Sequence, residues 1–258
     1  MIFTIIHNYM NKRVWTGAGI LFLLLCWETA SLISASGLLL PGPLPVMEKF
    51  AQLIFSHTFL SALAGSFGRV FLAMVISVSL GILAGTIAAL DKRAGAFLQP
   101  LFQLISATPV IPLILIAFLW FGQANTAIFT AFLMIFPIIA SNTISGIQSI
   151  DPGIKELFVL YRLSAKERFF SLYLPGIAPF VAGGLRSALS QCWKVVVAAE
   201  VLLQPRFSLG LGMQNARAGL ETAELFAWTA AAVIAAALTQ FLLDLAIESV
   251  KIKRGKGS

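Results

Sequence analysis

Asp151-Pro152-Gly153-Ile154-Lys155-Glu156 opens a charged island that continues through Tyr161-Arg162-Leu163-Ser164-Ala165-Lys166-Glu167-Arg168 and closes at Leu174-Pro175, where a long apolar run begins. On either side the chain is apolar enough for a bilayer, so the island itself has to lie in water. Its own Leu157, Phe158, Val159, Leu160, Phe169, Phe170 and Leu172 are too apolar for a solvated linker. The pattern predicts two short amphipathic helices at the membrane face, offering an apolar and charged surface to a soluble partner. The bland alternative is an amphipathic loop without a partner.

Working outward, 59% of the 258 residues are apolar and 11% charged, with a mean hydropathy of +0.91. Soluble domains carry roughly 25% charged residues. The apolar runs are long and uninterrupted, about 20 residues each, which suits spanning helices and excludes the alternating strands of a membrane barrel, about 10 residues long. The fold class expected is an all-α polytopic membrane protein. Spans are expected at about 14–34, 60–90, 94–121, 126–145, 177–203 and 223–250. A stiff break at Leu40-Pro41-Gly42-Pro43-Leu44-Pro45 leads into a short surface helix over 45–57. Pro100, Pro109 and Pro112 predict a kinked third helix buried against protein, and Gly122-Gln123-Ala124-Asn125 reads as a tight turn. The regions are 1–59 (N-terminal segment, first span and surface helix), 60–250 (five spans with the island 151–175) and a basic tail, 251–258.

Six spans put both termini on one side. Twelve cations accompany them: Lys12, Arg13, Lys92, Arg93, Lys155, Arg162, Lys166, Arg168, Lys251, Lys253, Arg254 and Lys256, out of 18 Lys plus Arg. Lys49, Arg206 and Arg217 lie opposite, while Arg69, Arg186 and Lys194 fall inside spans. The excess of cations places the termini and the island in the cytoplasm. An N-terminal signal peptide would leave the same loops inside, but Trp27-Glu28 interrupts the run, and apart from Ser34-Ala35-Ser36 there is no clean small-x-small cleavage site. Cys26 and Cys192 sit in apolar helices and read as small packing residues.

At this point the island and its surroundings resemble a known family. Glu156-Leu157-Phe158, Tyr161-Arg162-Leu163-Ser164 and Leu174-Pro175 are similar to the Glu-Ala-Ala loop of type I ABC importer permeases, and the interval from Glu156 to Pro175 agrees with it. Leu40-Pro41-Gly42-Pro43, Thr108-Pro109, Trp120-Phe121-Gly122 and Phe136-Pro137 add to the likeness. Trp193 to Glu200 and Asn215-Ala216-Arg217 resemble the nitrate, sulfonate, taurine and bicarbonate branch. The resemblance implies a permease in the inner (cell) membrane whose loop residues Glu156, Leu160, Tyr161, Arg162, Leu163, Ser164, Ala165 and Lys166 grip an ATPase. It also implies two ATPase subunits that bind ATP and Mg, a substrate-binding protein, and a second permease copy, most simply a homodimer. Leu157 and Phe158 depart from the two alanines and Arg162 from the glycine, whose left-handed turn costs arginine roughly 1–2 kcal/mol. Gln204-Pro205-Arg206 looks like a small insertion.

The chain has no Gly-x-x-x-x-Gly-Lys-Ser/Thr segment with which to bind nucleotide, and His7 and His57 stand apart. No catalytic residue, resident cofactor, metal or nucleic-acid partner is expected. The fifth span carries Arg186, Ser190, Gln191, Lys194 and Glu200. A charge at bilayer centre costs about 2.5–3.5 kcal/mol on insertion scales, so such groups mark a pathway or a pair. Either they line the translocation path and attract a small anionic solute, or Arg186 and Lys194 pair with acids such as Glu200, Glu28 or Asp244. Gly81 and Gly85 read as a packing ridge. A vitamin or vitamin precursor of thiamine-pyrimidine or riboflavin type is the alternative cargo. An ATP-independent secondary transporter is the alternative class.

Overall fold

A computed structural model describes residues 2–34 and 39–255, and among these every regular element is helical. The expectations placed on Ala35, Ser36 and Lys256 fall outside the described residues. Helix α1 covers Ile2–Ile33, α2 Pro43–Ile54, α3 His57–Leu90, α4 Lys92–Ala107 and α5 Val110–Gln148. Then come α6, Pro152–Leu160, the single turn α7, Ala165–Arg168, and a π-helical turn, Phe169–Tyr173. Helix α8 is Leu174–Leu203, α9 Leu209–Ala218 and α10 Thr222–Gly255. By length and apolarity Val14–Ile33, His57–Leu90, Val110–Gln148 and Thr222–Ser249 can each cross a membrane. The protein is thus a multi-pass helical membrane protein, as its composition required.

The chain resolves into two compact units. In the first, Met1–Leu60 with Gly212–Ala231, the proline break is tied to α1. The Trp27 indole donates to the Pro41 carbonyl at 3.0 Å and the Ser31 hydroxyl to the Leu40 carbonyl at 2.9 Å. Helix α2 starts at Pro43, two residues before expectation, because proline lacks only an N–H that a first-turn residue leaves unused. Lys49 pairs with Glu221 at 2.9 Å, and the Phe59 ring lies 5.4 Å from that of Trp228.

The second unit, Ser61–Leu211 with Ala232–Ser258, holds most of α3, all of α4 to α8 and the C-terminal part of α10. A methyl added to Gly81 would sit 2.8 Å from Ile139 Cβ, and one on Gly85 2.6 Å from the Ala140 carbonyl, so these glycines let α3 lie directly on α5. The pairs Ser77 with Phe132 and Gly81 with Ile139 advance together, making these two stretches parallel. Helix α8 runs the other way. Its Ile177 packs near Ile147, and its Ala199 and Leu203 near Ala127. Helix α10 is antiparallel to α8, with Asp244 at Arg186 and Thr239 at Trp193. These directions put Asp91, the 151–173 segment and the C-terminal end of α10 on one side of the unit.

Two expectations about the middle of the chain change. The predicted third span, 94–121, is not one kinked helix, because Thr108 and Pro109 are both extended (ψ 126° and 136°) and separate α4 from α5. Pro109 disfavours helix in Thr108, whose hydroxyl caps the Leu104 carbonyl at 2.8 Å instead. Pro112 merely occupies the first turn of α5, and Pro100 is accommodated inside α4. The turn expected at 122–125 is made by Gly122 alone, at φ 68° and ψ 178°, and helix resumes at once. In a straight helix Ile114 and Ala127 would stand about 20 Å apart. Here they share one cluster, and the rings of Phe121 and Phe129 stack at 4.4 Å, so the chain doubles back at Gly122.

Candidate functional site

The island begins where Asp151 caps α6: its carboxylate accepts the Gly153 N–H at 2.6 Å, and Pro152 fills the first helical position. Ile154, Leu157, Leu160 and Tyr161 recur on one side of this short helix and are all exposed, Leu160 at 76% and Tyr161 at 75%. Glu156 is exposed as well. The helix stops in a Schellman turn. The Leu163 N–H reaches the Phe158 carbonyl at 3.3 Å, and Arg162 takes the left-handed position at φ 54°. Arginine therefore makes the turn that glycine makes in the family pattern, with its side chain exposed.

Ser164 starts the next turn with a reciprocal cap. Its N–H and hydroxyl donate to the Glu167 carboxylate at 2.8 and 2.7 Å, and the Glu167 N–H donates back to the hydroxyl at 3.3 Å. These bonds favour the ionised form and hold the Glu167 carboxyl below its ordinary value. Ser-x-x-Glu is readable in the sequence, yet Glu167 was not among the expected site residues. Lys166 is exposed beside it; for Ala165 the helical backbone alone is described. The expected second amphipathic helix is corrected here: α7 is one turn that runs through the π-helical 169–173 into α8 without a break, so residues 165–173 of the island continue into the long helix while the turn 161–164 separates them from α6.

On α8, Ser187, Ser190 and Lys194 are exposed, with Arg186 and Gln191 half-buried beside them. Arg186 Nε donates to Asp244 Oδ1 at 2.5 Å across to α10, both side chains remaining about 40% exposed. A cavity of about 520 Å³ lies against Arg186, Ser187, Ser190 and Gln240. Gln240 Oε1 is buried with no hydrogen-bond partner among the described residues. Lys194 makes no ion pair among them either.

Glu200 leaves this stripe. It lies six residues beyond Lys194, about 120° around the helix, and is fully buried. Its carboxylate accepts from the Ser66 hydroxyl at 2.7 Å, Arg69 Nη1 at 2.8 Å and the Gly210 N–H at 3.3 Å. Arg69 goes on to the carbonyls of Arg206 (2.9 Å) and Phe207 (3.1 Å), and Ser66 accepts the Leu209 N–H at 3.0 Å. The insertion-like Gln204-Pro205-Arg206 is what brings those carbonyls round: Gln204 and Phe207 both take left-handed backbone, φ 52°. The sequence reading missed Ser66 and Arg69 as Glu200's partners. The signal was a lone arginine in one apolar helix and a lone glutamate in another.

Residues 77–251 match the family model described as "Binding-protein-dependent transport system inner membrane component". The chain belongs to this family. It is 29% identical over 250 residues to the taurine transport system permease protein TauC of Escherichia coli (strain K12), covering 94% of this chain and 89% of that one. It is 31% identical over 188 residues to the nitrate import permease protein NrtB of Synechococcus elongatus, covering 68% and 67%. The similarity thus falls in the taurine, sulfonate, nitrate and bicarbonate branch of ABC importer permeases. Among solved structures, a chain of a bacterial ABC transporter involved in the import of the acidic polysaccharide alginate superposes with a TM-score of 0.64 at 16% identity, covering 94% of this chain and 96% of that one. At that identity the likeness concerns the fold.

Proposed function

We propose that this chain is the membrane subunit of an ATP-driven importer for a small anionic solute of the sulfonate, taurine, nitrate or bicarbonate kind. Two copies enclose the path, each crossing the membrane six times with both termini cytoplasmic. The six crossings are α1, α3, α4 with residues 110–121, residues 123–148, α8 and α10. The observation that carries the reading is the exposed Ser187-Ser190-Lys194 stripe on a helix otherwise packed into the bundle. Facing lipid, an unpaired ammonium there would be costly; facing a wet path, it attracts an anion. Glu200 does not cancel that charge, being engaged by Arg69, and Arg186 is offset by Asp244. A substrate-binding protein delivers the solute on one face. On the other, two ATPases that bind ATP and Mg grip the exposed row Ile154, Leu157, Leu160 and Tyr161. A push on α6 passes through the capped turn 161–164 to α7, which runs unbroken into α8 and so tilts the helix bearing Lys194, a rigid-body coupling between two states. The chain itself makes and breaks no bonds.

The test uses membrane vesicles containing the assembled transporter. Thiols introduced by Leu160→Cys or Ser164→Cys should crosslink to the ATPase, and Lys194→Met should lower anion uptake at least tenfold while that crosslink persists. Full uptake with unchanged substrate preference in Lys194→Met would remove the path assignment, and absence of any crosslink would remove the coupling assignment.

A further inference from the structure

Where the end of α3, helix α4 and the last turns of α5 meet, the second unit has another cavity, open on one side and of about 470 Å³. Sites for small molecules occupy roughly 300–1,000 Å³. Helix α4 contributes Gln99, Gln103 and Ser106, at i, i+4 and i+7; α5 contributes Ser141, Ser145 and Gln148 at the same intervals. Both helices therefore turn a polar stripe into one space. All six side chains are exposed to it, and among the described residues none of them is hydrogen-bonded within the protein. Phe102, buried and 5.5 Å from the Phe136 ring, forms an apolar wall. Gly95 closes one end, where a methyl would lie 2.6 Å from the Ala88 carbonyl.

On a membrane-spanning helix, unpaired amides and hydroxyls that faced lipid would be costly, so this open cavity has to hold water or a ligand. The lining has no carboxylate to repel an anion and no cation to trap one. Three glutamine amides and three hydroxyls supply many N–H and O–H donors. Neutral donors suit a flat or trigonal group of oxygens bearing one negative charge, held briefly and then released. The cavity lies toward the Asp91 side of the bundle, the side of the 151–173 segment, and Gln148 is three residues from Asp151. We propose that it is a release site for a small oxoanion, through which the solute passes after Lys194 and before the cytoplasm. This rests on the anion-importer reading above and adds a second, uncharged station to it.

The experiment takes the complete transporter, permease with its ATPase and binding protein, in proteoliposomes, with nitrate, bicarbonate, ethanesulfonate and zwitterionic taurine as probe solutes. Gln103→Leu should reduce uptake at least fivefold while ATP hydrolysis stimulated by the loaded binding protein persists. In a separate variant, Ser145→Cys, an imported probe should slow modification by an anionic methanethiosulfonate at least threefold; the modified peptide's mass separates it from Cys26 and Cys192. Should Gln103→Leu not assemble, the labelling measurement decides alone. Wild-type vesicles that import one of the probes while labelling is unaffected by that probe, or while an assembled Gln103→Leu keeps full uptake of it, overturn the release site and leave the importer reading standing. Wild-type vesicles that import none of the four probes overturn both.

Discussion

At Glu200 three donors converge on one fully buried carboxylate, whereas at Leu160 and Tyr161 two large apolar side chains stand three-quarters exposed. The first arrangement is closed. Arg69 satisfies Glu200 and two loop carbonyls at once, so α3, α8 and the loop before α9 are held together, and nothing remains to be offered to a partner. The second is open, since the caps at Asp151, Arg162 and Ser164 fix the backbone of the island and leave its apolar row without cover. Polar groups of similar cost can therefore serve opposite ends. Where the charge is buried and paired it fixes the structure, and where the backbone is capped but the side chains are bare it presents a surface.

The sharpest way to break this contrast is to remove one member of each arrangement. Arg69→Met leaves Glu200 buried without its cation and should cost about 3–5 kcal/mol, read from denaturant unfolding of the detergent-solubilised permease. Adding Glu200→Leu should recover much of that loss, because the buried charge disappears with its partner. Leu160→Ser should change stability by only about 0.5 kcal/mol or less, since the side chain is already in solvent. If Arg69→Met and Leu160→Ser proved equally mild, the closed character of the Glu200 cluster would be lost.

The membrane class, the helix positions and the island were legible because twenty-residue apolar runs and their cations leave an unambiguous record in composition. The place where α4 gives way to α5 was half-legible. Three prolines announced a disturbance, but whether Thr108 bends or breaks the helix is decided by the extended pair 108–109 in context. Gly122 was read as part of a four-residue turn because sequence marks the permissive residue and not the number of residues it spares. The Glu200 cluster was illegible for a different reason. Its partners lie 131 and 134 residues away in the chain, and a helical wheel of α8 alone shows that Glu200 diverges from Lys194 without showing what it meets. The polar stripes on α4 and α5 could have been noticed separately; only the packing of the two helices turns them into one cavity.

A smaller effect separates the two uses of Arg162. A non-glycine residue in left-handed backbone costs roughly 1–2 kcal/mol, and a glycine there costs some of that back through the freer unfolded chain. Arg162→Gly should accordingly stabilise the isolated permease by about 0.5–1 kcal/mol. If the exposed guanidinium serves the ATPase, the same variant should weaken co-purification of the ATPase while raising stability. A gain in stability with unaltered co-purification would mark the arginine as tolerated and nothing more.

The smallest effect concerns the cap that keeps the open surface in shape. Glu167 is exposed, and its bonds from Ser164 hold its carboxyl below the ordinary value of 4.5. A carboxyl depressed on folding contributes stability above its unfolded value and loses it as pH falls through the folded one, so the cap should be intact at neutral pH and weaken only below 4.5. Hydrogen exchange at the Ser164 amide, corrected for its intrinsic pH dependence, reads this directly: protection should fall on acidification through that window. Glu167→Gln can still accept the bond but cannot titrate, so its protection should start somewhat lower and stay flat with pH. Flat protection in the wild type would mean that the turn after Arg162 is held by the Leu163 to Phe158 bond and not by the carboxylate, moving the cap from the Glu167 side of the island to α6.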